Sequence, residues 1–176
     1  MSKKPVRDSM NDINSLQIRL MTAEDKPLAE EFFAQMSDIS AGFFNMQRGN
    51  ELRTYDFCDG RLSDHEFWIA SGREENGREF IAGIVFVWER ESMLPWLGVA
   101  VAERLQGRHL GERLVRTVID WCLGTGRGGI LLTTHKNNIR GQKLYERCGF
   151  ERHGVWHNDE FLYILRFKCE TKIKYS

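Results

Sequence analysis

Residues 99–111, VAVAERLQGRHLG, pass from an apolar stretch through a turn holding Gly107 and Gly111 into a helical pattern. A strand–turn–helix unit of this kind aims several unpaired backbone N–H groups, and the positive end of a helix dipole, at one spot. That is chemistry suited to a phosphate. The strand is expected over Trp96–Val101. The helix, over about Gly111–Leu123, sets Leu114, Val115, Val118, Ile119 and Cys122 on one face. A unit that binds nothing has the same pattern, and this segment alone does not separate the two. Other chemistries find less support. Cys58, Cys122, Cys148 and Cys169 are far apart without a C-x-x-C pair, as reduced structural thiols would be. His65, His109, His135, His153 and His157 are equally scattered, so no metal site is expected.

The chain around this turn is 176 residues long, the size of one domain able to bury a core. Lysine plus arginine and aspartate plus glutamate each number 25, and zero formal charge argues against a nucleic-acid binder. No apolar run reaches bilayer length, and Met1–Asn14 lacks a signal-peptide core, so no membrane association and a cytoplasmic address are expected. Residues 1–15 read as a loose tail, 16–168 as the domain and 169–176 as a C-terminal tail.

Within the domain, Gln17–Leu20 reads as a first strand. Thr22–Asp25 opens a helix that tolerates Pro27 in its first turn and places Leu28, Phe32 and Met36 on one side. Ser37–Ser63 mixes aromatics with glycines and fits a helix pair covering the core, an arrangement compatible with one wall of a pocket. Phe67–Ala70, Phe80–Trp88 and Trp96–Val101 suit an antiparallel meander. Ile130–Thr134 should run parallel to Trp96–Val101, because a crossover helix joins them. Asn138 opens a second helix closed by Gly149, and Phe150–Trp156 and Phe161–Phe167 form a last hairpin. This order predicts an α/β (mixed α+β) single domain, with a mostly antiparallel sheet flanked by helices.

Two motifs now act together. Gln106-Gly-Arg-His-Leu-Gly111 resembles the Q/R-x-x-G-x-G/A turn of the GCN5-related N-acetyltransferases, the GNAT superfamily. Asn138-Ile-Arg-Gly-Gln-Lys-Leu-Tyr-Glu-Arg-Cys-Gly-Phe150 resembles that family's N-x-x-A-x-x-L-Y-E-x-x-G-F signature, with Gly141 where alanine is usual. The resemblance covers roughly Glu66–Phe167 in element order, and the first strand and helix also fit. It implies that Trp96–Val101 and Ile130–Thr134 splay apart into a cleft for acetyl-CoA as cosubstrate, with no metal. It further implies that Val99, Ala100 and Val101 meet the pantetheine arm. Gln106 and the amides of Gly107, Arg108, His109, Leu110, Gly111 and Glu112 would hold the pyrophosphate. Asn138 would meet the pantetheine from the other side, and Tyr145 would give a proton to the departing thiolate. Without the motif, Tyr145 would read as a packing residue.

Such chemistry needs a neutral amine, N–H donors for the oxyanion and protonation of the leaving thiolate. A tyrosine keeps its proton at neutral pH and suits the last task. His109 departs from the family, which has glycine there. It would need a glycine-like backbone and brings an imidazole beside the phosphates. Arg104, Arg108 and Arg113 add positive charge nearby. The general base is left open among Glu89, Glu91, His135 and water. The function implied is acetyl transfer to a primary amine, carried by a small molecule or peptide, through a ternary complex. The alternative is a weak or inactive GNAT-like domain that binds or senses acyl-CoA. Asp56, Asp59, Asp64 and Glu66 could line a cationic pocket, and the last hairpin offers a route to a homodimer.

Overall fold

The expected strands assemble into one seven-stranded sheet in a computed structural model that describes residues 13–157 and 159–168. The tail segments 1–12 and 169–176, and with them Cys169, lie outside those residues. The strands are β1 (Gln17–Leu20), β2 (His65–Arg73), β3 (Glu79–Trp88), β4 (Trp96–Val101), β5 (Gly129–His135), β6 (Glu151–Trp156) and β7 (Glu160–Arg166). Their order across the sheet is β1-β2-β3-β4-β5-β7-β6. Every neighbouring pair is antiparallel except β4 and β5, which run parallel as a crossover demands. Ile13–Ser15 form a single helical turn, and Arg113 donates to the carbonyls of Ile13 and Leu16 at 2.6 and 3.0 Å.

The helices are α1 (Lys26–Ala34), α2 (Asp38–Phe43), α3 (Asn50–Cys58), α4 (Leu110–Gly124) and α5 (Ile139–Arg147). The helix pair read in Ser37–Ser63 is α2 and α3. Helix α1 buries Ala29, Phe32 and Phe33, whereas Met36, expected on its face, lies beyond its end. The reason is local: the chain turns at Gln35 and Met36, whose N–H bonds the Phe33 carbonyl, before Ser37 caps α2.

Alternation along each strand divides the core in two. One face carries Trp68, Val85, Val87 and Leu97 against α4, whose Leu114, Val115, Val118 and Cys122 are fully buried. The other carries Phe67, Ile69, Ile84 and Phe86 against Phe32, Phe33 and Phe44 from the α1–α2 region. Cys58, Cys122 and Cys148 are buried free thiols.

Candidate active site

Strands β4 and β5 pair at one position only, Trp96 with Leu131. Beyond it they diverge, leaving a V-shaped cleft of about 700 Å³. The inner edge of β4 has no strand against it beyond that pair. Ala102 donates to the Ala82 carbonyl of β3, and the register is regular, so alternation turns Ala100 toward β3 and Val99 and Val101 toward the opening. The cleft therefore has a strand edge without a neighbouring strand.

At its mouth the chain passes from a short helical turn at Glu103–Leu105 through Gly107, at φ 75°, and His109, at φ 65°, into α4. The first backbone bond of α4 is the Arg113 N–H to the His109 carbonyl, 3.1 Å. The amides of Leu110, Gly111 and Glu112, the first turn of α4, precede it and have no such intrahelical partner. His109 thus adopts the left-handed conformation that glycine would take, and its exposed ring leans on Glu112 at 3.3 Å. Gly111 permits close approach: a Cβ there would stand 3.0 Å from Leu144 and 3.7 Å from Val101.

Val99, Ala100, Val101, Gln106, Gly107, His109, Gly111, Glu112, Asn138 and Tyr145, all singled out from sequence, line this one cleft. Leu110 does not line it; its side chain is buried in the core beneath. Arg108 is not among the lining residues either, although it has other partners. Gln106 spans the mouth: its Nε2 donates to the Val101 carbonyl at 3.0 Å, and its Oε1 accepts from Arg140 of α5.

The positive charge is placed differently from the sequence expectation. Arg104 stacks on Phe80 and Arg113 is spent on the N-terminal turn, whereas Arg140, Lys143 and Arg147 line the cleft. Their spacing of three and four residues is a helical face, and that was the signal available in the sequence.

Asn138 caps α5. Its Oδ1 accepts from the Gly141 N–H at 3.0 Å and its Nδ2 donates to Thr134 at 3.2 Å. A Cβ at Gly141 would stand 2.5 Å from that Nδ2, so alanine here requires the Asn138 side chain to shift. Tyr145, one turn further, is buried with its ring against Phe150 and Tyr163 and borders the cleft. Burial raises its pKa well above the usual phenol value, so it stays protonated through neutral pH.

The opposite wall is apolar: Met36, Ile39, Phe43 and Phe44, with Ser40. It is tied to the turn by Glu103, which accepts from the Ser37 N–H at 3.0 Å and from the Ser37 hydroxyl. His135 faces Phe43 at 5.8 Å. Its Nδ1 accepts the Asn137 N–H at 3.1 Å, and His135 is not among the residues that line the cleft. Asp56, Asp59, Asp64 and Glu66 do not line the cleft; they pair with Arg61, Lys26, His65 and Arg90. Glu91 pairs with Arg90 and Arg127. Among the described residues no group of three or more His, Cys, Asp or Glu is placed to hold a metal ion, and no helix is long and apolar enough to cross a membrane.

A splayed parallel pair, a phosphate-type turn and a buried tyrosine beside them define an acetyltransferase fold. The family model of the GNAT acetyltransferases matches residues 33–150, more than half of the chain, and the chain belongs to that family. It is 25% identical over 126 residues to YvbK, an uncharacterised N-acetyltransferase of Bacillus subtilis, covering 68% of this chain and 78% of that one. It is 31% identical over 97 residues to an uncharacterised protein of Methanocaldococcus jannaschii, covering 54% of this chain but only 20% of that longer protein. Among solved structures, a domain from the same archaeon superposes with TM-score 0.70 at 25% identity, over 86% of this chain and 98% of that one. Arabidopsis thaliana NAA60 in complex with acetyl-CoA superposes with TM-score 0.67 at 16% identity, over 86% and 98%, which is a likeness of fold.

Proposed function

We propose that this chain transfers an acetyl group from acetyl-CoA to a primary amine within a ternary complex. The observation that carries the reading is the unpaired inner edge of β4, which ends in the amide-rich turn on one side and faces Tyr145 on the other. A protein of the same fold holding acetyl-CoA supports it. When bound, acetyl-CoA supplies an activated acyl carbon and a thiolate leaving group.

The chain's own groups do the rest. Val99 and Val101 offer a strand edge to an extended amide-bearing arm. The amides from Gly107 to Glu112 and the basic face of α5 hold phosphate oxygens. Gln106 must release Val101 when that arm enters, since it occupies the carbonyl. The Tyr145 hydroxyl donates its proton to the departing sulfur. The carboxylate and imidazole that line the cleft among the described residues, Glu112 and His109, sit at the turn that opens α4 and pair with each other at 3.3 Å, and His135 has its Nδ1 engaged by the Asn137 N–H. The amine is therefore taken up already neutral, its last proton passing to water. The test is a CoA-release assay over a panel of primary amines. The expected kcat/KM rises with pH toward the pKa of the amine, without an inflection between pH 6 and 7 of the kind a histidine base produces. The missing base equally favours a domain that binds acyl-CoA without transfer. Tight CoA binding with no acetylation across the panel would establish that second reading.

A further inference from the structure

A row of aromatic rings runs across the sheet from the wall of the cleft. Directly opposed residues on neighbouring strands share a face. By that rule Trp88 of β3, Trp96 of β4, Leu131 of β5, Ile164 and Leu162 of β7 and Trp156 of β6 all lie on the sheet face away from α4. On a flat sheet, Trp96 and Trp156 would be separated by three strand spacings, about 14 Å, and by the four residues from Ile164 to Glu160, about 13 Å along the strands, which makes about 19 Å in all. Their rings are 5.4 Å apart instead, so the β6–β7 hairpin curls over this face. Trp96 in turn stacks on Trp88 at 5.9 Å and 10°. Through Phe86 and Phe44 the row continues, at 5.6 and 6.0 Å, to the wall of the cleft.

Trp96 also marks the apex of the V, where the β4–β5 pairing closes. An extended arm entering between the strands has its reacting end there. The α4 face is sealed by core, with Leu97 buried, whereas Trp88 and Trp96 stay half-exposed and Trp156 is 38% exposed. The second substrate must approach from the aromatic side.

The charged groups packed at this corner are a neutralised carboxylate and an arginine. Glu160, its buried carboxylate, is taken by Arg48 at 2.7 Å and Asn45 at 2.9 Å. Arg53 lies 5.7 Å over Trp88, and its hydrogen-bond partner is the neutral Asn50. We infer that the acceptor is a primary amine carrying a planar apolar group, an arylalkylamine rather than a polyamine, which lies against Trp96 and Trp156. This inference rests on the acetyl-transfer reading for the position of the reacting end.

The test uses the full chain. With CoA present, 2-phenylethylamine and spermidine are titrated separately while intrinsic tryptophan fluorescence is followed, and each is then offered with acetyl-CoA in a CoA-release assay. The expected result is a fluorescence change with phenylethylamine and a kcat/KM about tenfold or more above that of spermidine. Trp156→Ala, a change at an exposed strand end, should raise the phenylethylamine KM about tenfold while leaving the acetyl-CoA KM alone, and Trp156→Phe should recover most of the loss. Preference for spermidine, an unchanged KM in Trp156→Ala, or no fluorescence response to phenylethylamine each overturns the inference. Phenylethylamine binding that depends on Trp156 but is not followed by transfer supports the acceptor class and removes the transferase reading instead.

Discussion

Tyr145 and His109 show how far one side chain's chemistry depends on where the backbone holds it. Burial keeps the Tyr145 phenol protonated across the working pH range, so its deprotonation should not appear as an alkaline limb below about pH 10. Tyr145→Phe removes the proton donor while keeping the ring against Phe150 and Tyr163. Turnover should fall roughly a hundredfold with acetyl-CoA affinity nearly unchanged, read by steady-state kinetics beside calorimetric binding. His109 sits at φ 65°, a region costly for a β-branched residue and free for glycine. His109→Val should therefore destabilise by about 1–2 kcal/mol, and His109→Gly should stay within about 1 kcal/mol of the parent in urea melts. The two motifs were legible at this scale as residue types and spacing. Asn138 was legible too, as the residue that opens the second helix; the contact that a Cβ at Gly141 would make was not, because it depends on a side-chain rotamer.

At the scale of elements, placement of the strands rests on close contacts and a few ion pairs. Gly129 begins β5, where an added Cβ would stand 2.2 Å from the Leu165 carbonyl of β7. The obstacle is backbone, so it cannot swing aside. Gly129→Ala should cost about 1–3 kcal/mol in a denaturant melt, even though glycine to alanine ordinarily favours regular structure. Arg19 of β1 clasps Asp25, just ahead of α1, through two 2.7 Å bonds. Burial works against the Asp25 anion, but Arg19 and the Thr22 N–H outweigh it and hold its pKa below the ordinary value. A lowered folded-state pKa adds stability above the unfolded value near 4 and loses it as pH falls through the folded one. Asp25→Asn should be less stable than the parent by about 1–3 kcal/mol at pH 7, and the gap should narrow as thermal melts are taken below about pH 4. Strand and helix positions followed from periodicity to within about three residues, the largest difference being at the end of β2. The placing of Met36 on α1 did not, since it continues the apolar spacing after the chain has already turned.

The whole molecule is organised around one interruption, the parting of β4 from β5 after Trp96 and Leu131. A ligand that inserts there binds the folded state alone and so stabilises it by mass action. Acetyl-CoA at about a hundred times its Kd should add about 2.7 kcal/mol, a rise in melting temperature of roughly 5–10 °C for a domain of this size. No shift at millimolar acetyl-CoA would sink the cofactor reading, with or without His109. Free CoA run alongside separates the contribution of the nucleotide end from that of the acetyl group. The curl of the β6–β7 hairpin belongs to this scale too, since it brings Trp156 to Trp96 across two intervening strands.

Local pattern was enough to specify the strand–turn–helix at Val99–Gly111, the parallel course of β4 and β5 and the family motif around Tyr145, because each depends on residues near one another in the chain. Tertiary structure alone decided that α5, rather than Arg104 and Arg113, brings positive charge to the cleft. It also decided that His135 has its Nδ1 engaged, that the acidic residues of 56–66 are already paired, and that three tryptophans from β3, β4 and β6 meet. The physical reason is common to all of these. Which partner satisfies a charge, a lone pair or a ring is settled by packing between elements distant in sequence, and periodicity within one element carries no information about its neighbours across the sheet.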